Sequence, residues 1–162
     1  MKEDNDIFKK FRDSFSKIDG HFHILEQRVP VERQMEYFKY SEKIRKDQDK
    51  PDISKMDFSV FEDSLDDPES TVEHKKYVLS ILATSRQVKA YRILEEYAQA
   101  PDPDVADWAY MALMESRIAL ESELSDEKQI YISTGLGGKG EKLRFYVLMT
   151  SKGKKPFQEY QR

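Results

Sequence analysis

Residues 105–120 read VADWAYMALMESRIAL. Within that run Val105, Trp108, Ala109, Ala112, Leu113, Ser116, Ala119 and Leu120 recur at the i, i+3, i+4, i+7 spacing of one broad helical stripe. The stripe joins the chain's only Trp to a set of small residues. It therefore predicts a helix that packs something bulky at one end and lets a neighbour approach closely at the other.

The same spacing predicts helices on either side. Asp4 to Asp19 places Ile7, Phe8, Phe11, Phe15 and Ile18 on one side, with Asp4 or Asn5 as cap and Gly20 as stop. Residues 20–29 (GHFHILEQRV) are less periodic and fit a short strand or an extended connector. Pro30 opens a second helix to about Asp47, with Val31, Met35, Phe38, Ser41 and Arg45 on one side and Tyr37, Tyr40 and Ile44 beside them. Ser54 is the expected N-cap of a shorter helix carrying Met56, Phe58, Phe61 and Leu65. Val72–Thr84 follows with Tyr77, Val78, Ile81 and Leu82 inward, then Gln87–Gln99 with Val88, Tyr91, Leu94 and Ala98 inward.

After Ser125 the period changes. Gln129–Thr134 and Leu143–Met149 are β-branched and aromatic, and Gly135–Gly140 lies between them, which predicts a β-hairpin with an irregular turn. One hairpin alone is marginal in water. This one is expected to lie on the last helix as a cap, to pair with a strand from 21–29, or to pair across a dimer. From Ser151 onward the tail is basic and is expected to be loosely ordered, with Phe157 and Tyr160 as candidate anchors. The chain reads as a single domain over 1–162: a helical body (1–127), a hairpin (128–150) and a basic tail (151–162).

Two stretches look like copies. Val72-Glu73-His74-Lys75-Lys76-Tyr77-Val78 lies 33 residues ahead of Val105-Ala106-Asp107-Trp108-Ala109-Tyr110-Met111, and each follows a Pro flanked by acids. Asp49-Lys50-Pro51-Asp52 resembles a third member. A period of 33 falls in the range of solenoids built from paired helices. The pattern Asp-Pro, Val, then an apolar-and-Ala stripe (Asp67-Pro68 to Leu82, and Asp102-Pro103 to Leu113) resembles the HEAT-like repeats over roughly 58–124. Glu73 and Ala106 stand where such repeats often carry Arg. The resemblance implies helical hairpins stacked as a short solenoid. It also implies a function in binding other proteins, with nucleic-acid binding and DNA glycosylase activity as rarer outcomes in that family.

Composition narrows the classes. At 162 residues, 38% apolar and 36% charged, the chain has much surface for its size, and its 12% aromatic content argues against disorder. It has no Cys, so neither disulfides nor thiolate metal sites arise. No run is long and apolar enough for a membrane span, and the first residues (MKEDNDIFKKF) do not resemble a secretory signal, so a cytoplasmic protein is expected. The net charge of −4 is uneven: residues 128–162 hold 8 basic and 2 acidic groups, a segment of +6 against −10 for the rest. Such asymmetry fits a nucleic-acid or anionic-partner surface, or a tail lying on the acidic body of its own or a sister chain.

Candidate chemistry is sparse. Gly135, Gly137, Gly138, Lys139, Lys142 and Arg144 are the candidate contacts for a partner or anion, since Gly-rich backbone and a Lys can meet phosphate. Neither phosphate-loop pattern fits, because both should lead into a helix and a strand follows here. His21 and His23 form a His-x-His pair without an evident third metal ligand. Glu62, Asp63, Asp66, Asp67 and Glu69, and then Asp102, Asp104 and Asp107, cluster at helix starts where capping explains them; Asp107 beside Trp108 alone suggests a pocket. Tyr77, Tyr91, Tyr97 and Tyr110 have the spacing of core or rim positions. The expectation is therefore a non-enzymatic interaction module with no catalytic residue, cofactor or metal. Its partner is expected to be another protein or a second copy meeting the hairpin, with nucleic-acid binding through that hairpin as the alternative.

Overall fold

The computed structural model describes residues 20–140, 142–148 and 150. The helix expected at 4–19 and the tail from 151 lie outside the described residues. The described chain is mainly helical, with β1 (His21–Ile24), α1 (Val31–Lys46), α2 (Ser59–Asp66), α3 (Val72–Thr84), α4 (Val88–Tyr97) and α5 (Ala106–Ser125). It closes with β2 (Gln129–Ile132), β3 (Gly138–Lys139) and β4 (Lys142–Leu143).

The 105–120 stripe forms α5, entered through a 3-10 turn at Pro103–Val105 and ended by Asp126, which takes the left-handed conformation (φ 57°). Trp108, Ala109, Met111, Ala112, Met114 and Ser116 are its buried residues. Trp108 is 5% exposed, donates from Nε1 to Ser80 Oγ at 3.0 Å, and packs edge-on to Tyr37 and Tyr40, with ring centroids 5.3 Å away in each case. The small residues let α3 come close: Ser80, Leu82 and Ala83 on α3 and Ala112 and Ser116 on α5 are fully buried. Helix α3 is the hub, packing against α5, α1, α4 and α2.

One local device recurs in the acid-rich turns. Asp52, Asp57, Asp67 and Asp102 each accept on Oδ1 from the N–H two residues on, at 2.9 to 3.2 Å. Each also accepts on its backbone carbonyl from the N–H three residues on. These are Asx turns. Asp52, Asp57 and Asp102 thereby meet the first amides of the helical turn that follows, whereas Glu62, Asp63 and Asp66 lie within α2, Asp67 ends it, and Thr71 caps α3 by accepting from the His74 N–H at 3.2 Å. Ser54, the expected cap, is instead held by Asp52, so helix α2 starts later than the sequence suggested, after Asp57.

Helix α1 is rotated from the expected face. Gln34, Tyr37, Ser41 and Ile44 point inward, while Val31, Met35 and Phe38 are 50%, 52% and 44% exposed. Polar partners inside the fold turn it: Gln34 donates to the Val29 carbonyl at 2.8 Å, and Tyr37 and Ser41 both donate to Glu115. Val88, expected inward, is 58% exposed, and Ala90, Ile93 and Leu94 form the buried face of α4.

The C-terminal strands also differ from a simple hairpin. β2 pairs in parallel with β1, His21 opposite Gln129 and Ile24 opposite Ile132, extended by Leu25 N–H to the Ile132 carbonyl at 2.9 Å. A parallel pair needs a crossover, and here the helical body supplies it. β2 also packs on α5. The antiparallel pairing shrinks to Gly138 with Leu143 and Lys139 with Lys142. Among the described residues, those after Leu143 pair with no strand.

Candidate functional site

An open groove of about 820 Å³ runs between α1, α5 and β2. Its floor is apolar, formed by Leu25, Ala83, Met111, Met114, Ile118 and Ala119. That size and lining suit a small ligand held by a few placed polar groups.

The polar groups converge on Glu115. Tyr37 Oη donates to its Oε2 at 2.5 Å and Ser41 Oγ to both oxygens at 2.6 and 2.7 Å. Arg45 Nη1 lies 3.4 Å from Oε1. Tyr37 and Ser41 are fully buried and the Glu115 side chain is 13% exposed. Burial, with the adjacent Glu115 carboxylate second, holds the Tyr37 phenol well above its ordinary range. It is therefore a neutral, permanent donor. Gln34 bridges the Val29 carbonyl and Ser133 Oγ at the far wall. At the rim, Arg86 and Lys128 have no hydrogen-bond or ion-pair partner for their side chains among the described residues. Arg86 adopts φ 57°, an unusual conformation for a residue with a side chain.

Sequence reasoning missed this cluster. Its signal was present: Glu115 stands mid-helix, between Asp107 at the start of α5 and Glu121 and Glu123 in its last two turns. A carboxylate carried that far into an apolar stripe needs donors, and α1 brings them.

The Gly-rich loop is built inward. Gly135, Gly137 and Gly138 are buried against residues 24–31. Its amides have intramolecular acceptors: Gly135 N–H to Ser133 Oγ, Leu136 N–H to Thr134 Oγ1, Gly138 N–H to the Glu26 carbonyl and Gly140 N–H to Glu26 Oε1. At Gly137 (φ 75°) a Cβ would stand 2.3 Å from the Glu26 carbonyl oxygen, so close backbone packing requires glycine there. Lys139, Lys142 and Arg144 are exposed on the outer side, and Arg144 reaches the Leu136 carbonyl at 3.4 Å. The six candidate contacts thus divide into three packing glycines and three exposed cations.

The remaining candidates separate. His23 pairs with Gln129 Oε1 at 2.6 Å and stacks on Tyr131, whereas His21 meets Glu127. Among the described residues no group of three or more His, Asp or Glu side chains is placed to hold a metal ion. Asp107 and Trp108 line a small hollow of about 250 Å³ that opens next to Lys76, whose ammonium lies 4.8 Å from the Trp108 ring centre. Tyr77, Tyr97 and Tyr110 pack half-buried on the core, and Tyr91 donates to Glu95 at 3.0 Å. No described helix is long and apolar enough to cross a membrane. Comparison with family models, with curated proteins and with solved structures finds no match to this chain.

Proposed function

We propose that this chain is a non-enzymatic interaction module that engages another protein through the segment following β4. The observation that carries the reading is the exposure of Phe145, Tyr146, Val147 and Leu148, at 61%, 78%, 79% and 90%. Single exposed apolar side chains are ordinary, but four in a row make a patch of the kind that marks a contact surface. Among the described residues the last backbone bond of this segment is Arg144 N–H to the Gly137 carbonyl, and residues 145–148 belong to neither helix nor strand. A β-branched and aromatic run of that kind suits β-strand addition, in which alternate side chains enter a partner's pockets. Lys142 and Arg144 beside it favour a partner with an acidic rim. A second copy qualifies, since residues 1–127 carry −10. The helical body, read as HEAT-like hairpins, serves in this proposal as the scaffold that presents the strand. Its expected setting is the cytoplasm.

A photo-crosslinking residue at Tyr146, in cells that make the protein, tests this. A discrete protein adduct is expected, lost when Phe145, Val147 and Leu148 are changed to Ser, with none from the same probe at Glu62. Sedimentation velocity of the purified protein separates a second copy from a different partner. Absence of a protein adduct at position 146 would overturn the reading.

The same segment supports a second reading, single-stranded nucleic-acid binding, because the exposed aromatics Phe145 and Tyr146 directly follow the exposed cations Lys142 and Arg144. Anisotropy titrations with single-stranded and duplex DNA decide it. Sub-micromolar binding at physiological salt with a steep salt slope favours nucleic acid; the acidic body argues for weak, non-specific binding.

A further inference from the structure

We propose that the groove between α1, α5 and β2 is a binding site for an amphipathic anion, an apolar chain or ring system ending in a carboxylate or similar acid. The apolar body would lie on Met111, Met114, Ile118 and Leu25, a floor whose two flexible thioethers adapt to irregular shapes. At about 820 Å³ the groove exceeds the space a few ordered waters need and sits within the range of sites for small organic ligands.

Charge at the rim selects the head group. Five ionisable side chains of known sign face the groove: Arg45, Arg86, Lys128, Glu115 and Glu123. Glu115 is already compensated by Tyr37, Ser41 and Arg45. That leaves Arg86 and Lys128 as the unpaired cations against Glu123, a net positive rim next to an apolar floor. Arg86 is held in the left-handed region at the turn between α3 and α4, a conformation that costs energy for any residue but glycine. It lies two residues beyond the end of α3 and lines the groove. A guanidinium and an ammonium lining one groove suit an acid better than a neutral alcohol.

Isothermal titration calorimetry of the full chain with dodecanoate, below its micellar concentration, tests the assignment. Saturable one-to-one binding is expected. The Arg86→Gln/Lys128→Gln double variant should weaken it by about tenfold or more, as should replacing dodecanoate by dodecan-1-ol. Glu123→Gln should strengthen it. Ala119→Trp, which fills the floor, should abolish it, and Met114→Trp serves the same purpose should the first variant fold poorly by circular dichroism. No saturable heat with dodecanoate overturns the proposal and leaves the groove to a peptide segment of this chain or a partner. Equal binding of acid and alcohol, or binding that survives both Trp variants, overturns it as well.

Discussion

Replacing Glu115 by Ala tests whether α1 is turned by its polar partners. The substitution leaves the Tyr37 hydroxyl and the Ser41 hydroxyl without an acceptor, and both residues are fully buried. An orphaned buried donor costs about 1–3 kcal/mol. Two of them sharing one acceptor relax together, so the loss should reach about 2–5 kcal/mol rather than a strict sum. Arg45 adds little, because its side chain is 53% exposed and its contact is 3.4 Å long. Tyr37→Phe alone should cost about 1–2 kcal/mol, since Glu115 keeps Ser41 and Arg45. In the Glu115→Ala background the same change should cost much less, because the hydroxyl it removes is already orphaned. Urea melts followed by circular dichroism and by the fluorescence of Trp108 give all four corners of that cycle. A Glu115→Ala loss under about 0.5 kcal/mol, or strict additivity of the two changes, would refute the account of why Val31, Met35 and Phe38 face solvent.

The same cluster has a pH signature. Burial first, then Glu115, holds the Tyr37 phenol above its usual value. A phenol raised in the folded state stabilises the fold fully below the unfolded value of about 10, and that contribution fades as pH climbs toward the folded value. Tyr40, Tyr91, Tyr97 and Tyr131 are also raised, chiefly by burial. Tyr37→Phe should therefore make the alkaline loss of stability shallower without removing it.

Four further outcomes follow from single contacts. Trp108→Ala should cost about 3–5 kcal/mol, as a large-to-small change in the core that also frees Ser80; under about 1 kcal/mol in a denaturant melt would place Trp108 outside the core. Asp102 is held below the usual carboxylate range, first by its hydrogen bond to the buried Lys75 at 2.9 Å and then by the Asp104 amide. That stability is present above about pH 4 and lost as pH falls, so Asp102→Asn should flatten the acid limb of a melting-temperature profile, and an unchanged limb would discount the pair. Ser116 Oγ is buried without a hydrogen-bond partner among the described residues, so Ser116→Ala should be neutral or stabilising by up to about 1 kcal/mol in a urea melt. Added ATP or GTP should leave the melting temperature unchanged, because the loop amides already have acceptors within the chain.

The helices were legible because their signals are local. The Trp-and-Ala stripe predicts α5 and the burial of Trp108, Ala109, Ala112 and Ser116, since a 3.6-residue period reports which side lacks charge. Leu113, Ala119 and Leu120 are only half-buried, and Met111 and Met114 beside the stripe are buried instead. The inward face of α1 was not legible, because its apolar residues face solvent and its polar residues face Glu115, a group 74 positions beyond Ser41. A hydrophobic period cannot reveal a buried polar cluster whose partners are distant in sequence. The same limit explains the C-terminal strands. Residues 129–134 show β propensity, and a strand from 21–29 is one of the three partners expected for them, but propensity does not choose among partners when His21 meets Gln129 from 108 positions away. The Asp-Pro stretches share a local device as well: Asp67 and Asp102 build the same Asx turn. That turn spans about four residues and does not itself set the 33-residue interval between the stretches. In the Gly-rich loop, sequence pattern and backbone geometry can be tested against each other. Gly137 and Gly140 both take positive φ, 75° and 56°, but an added Cβ meets the Glu26 carbonyl at 2.3 Å in the first and nothing within 4 Å in the second. Gly140→Ala should cost only the conformational term of about 1–2 kcal/mol, while Gly137→Ala must also push β3 away from residues 26–28. If thermal melts rank the two equally, the loop is held by its own turn preferences and not by packing against the segment that follows β1.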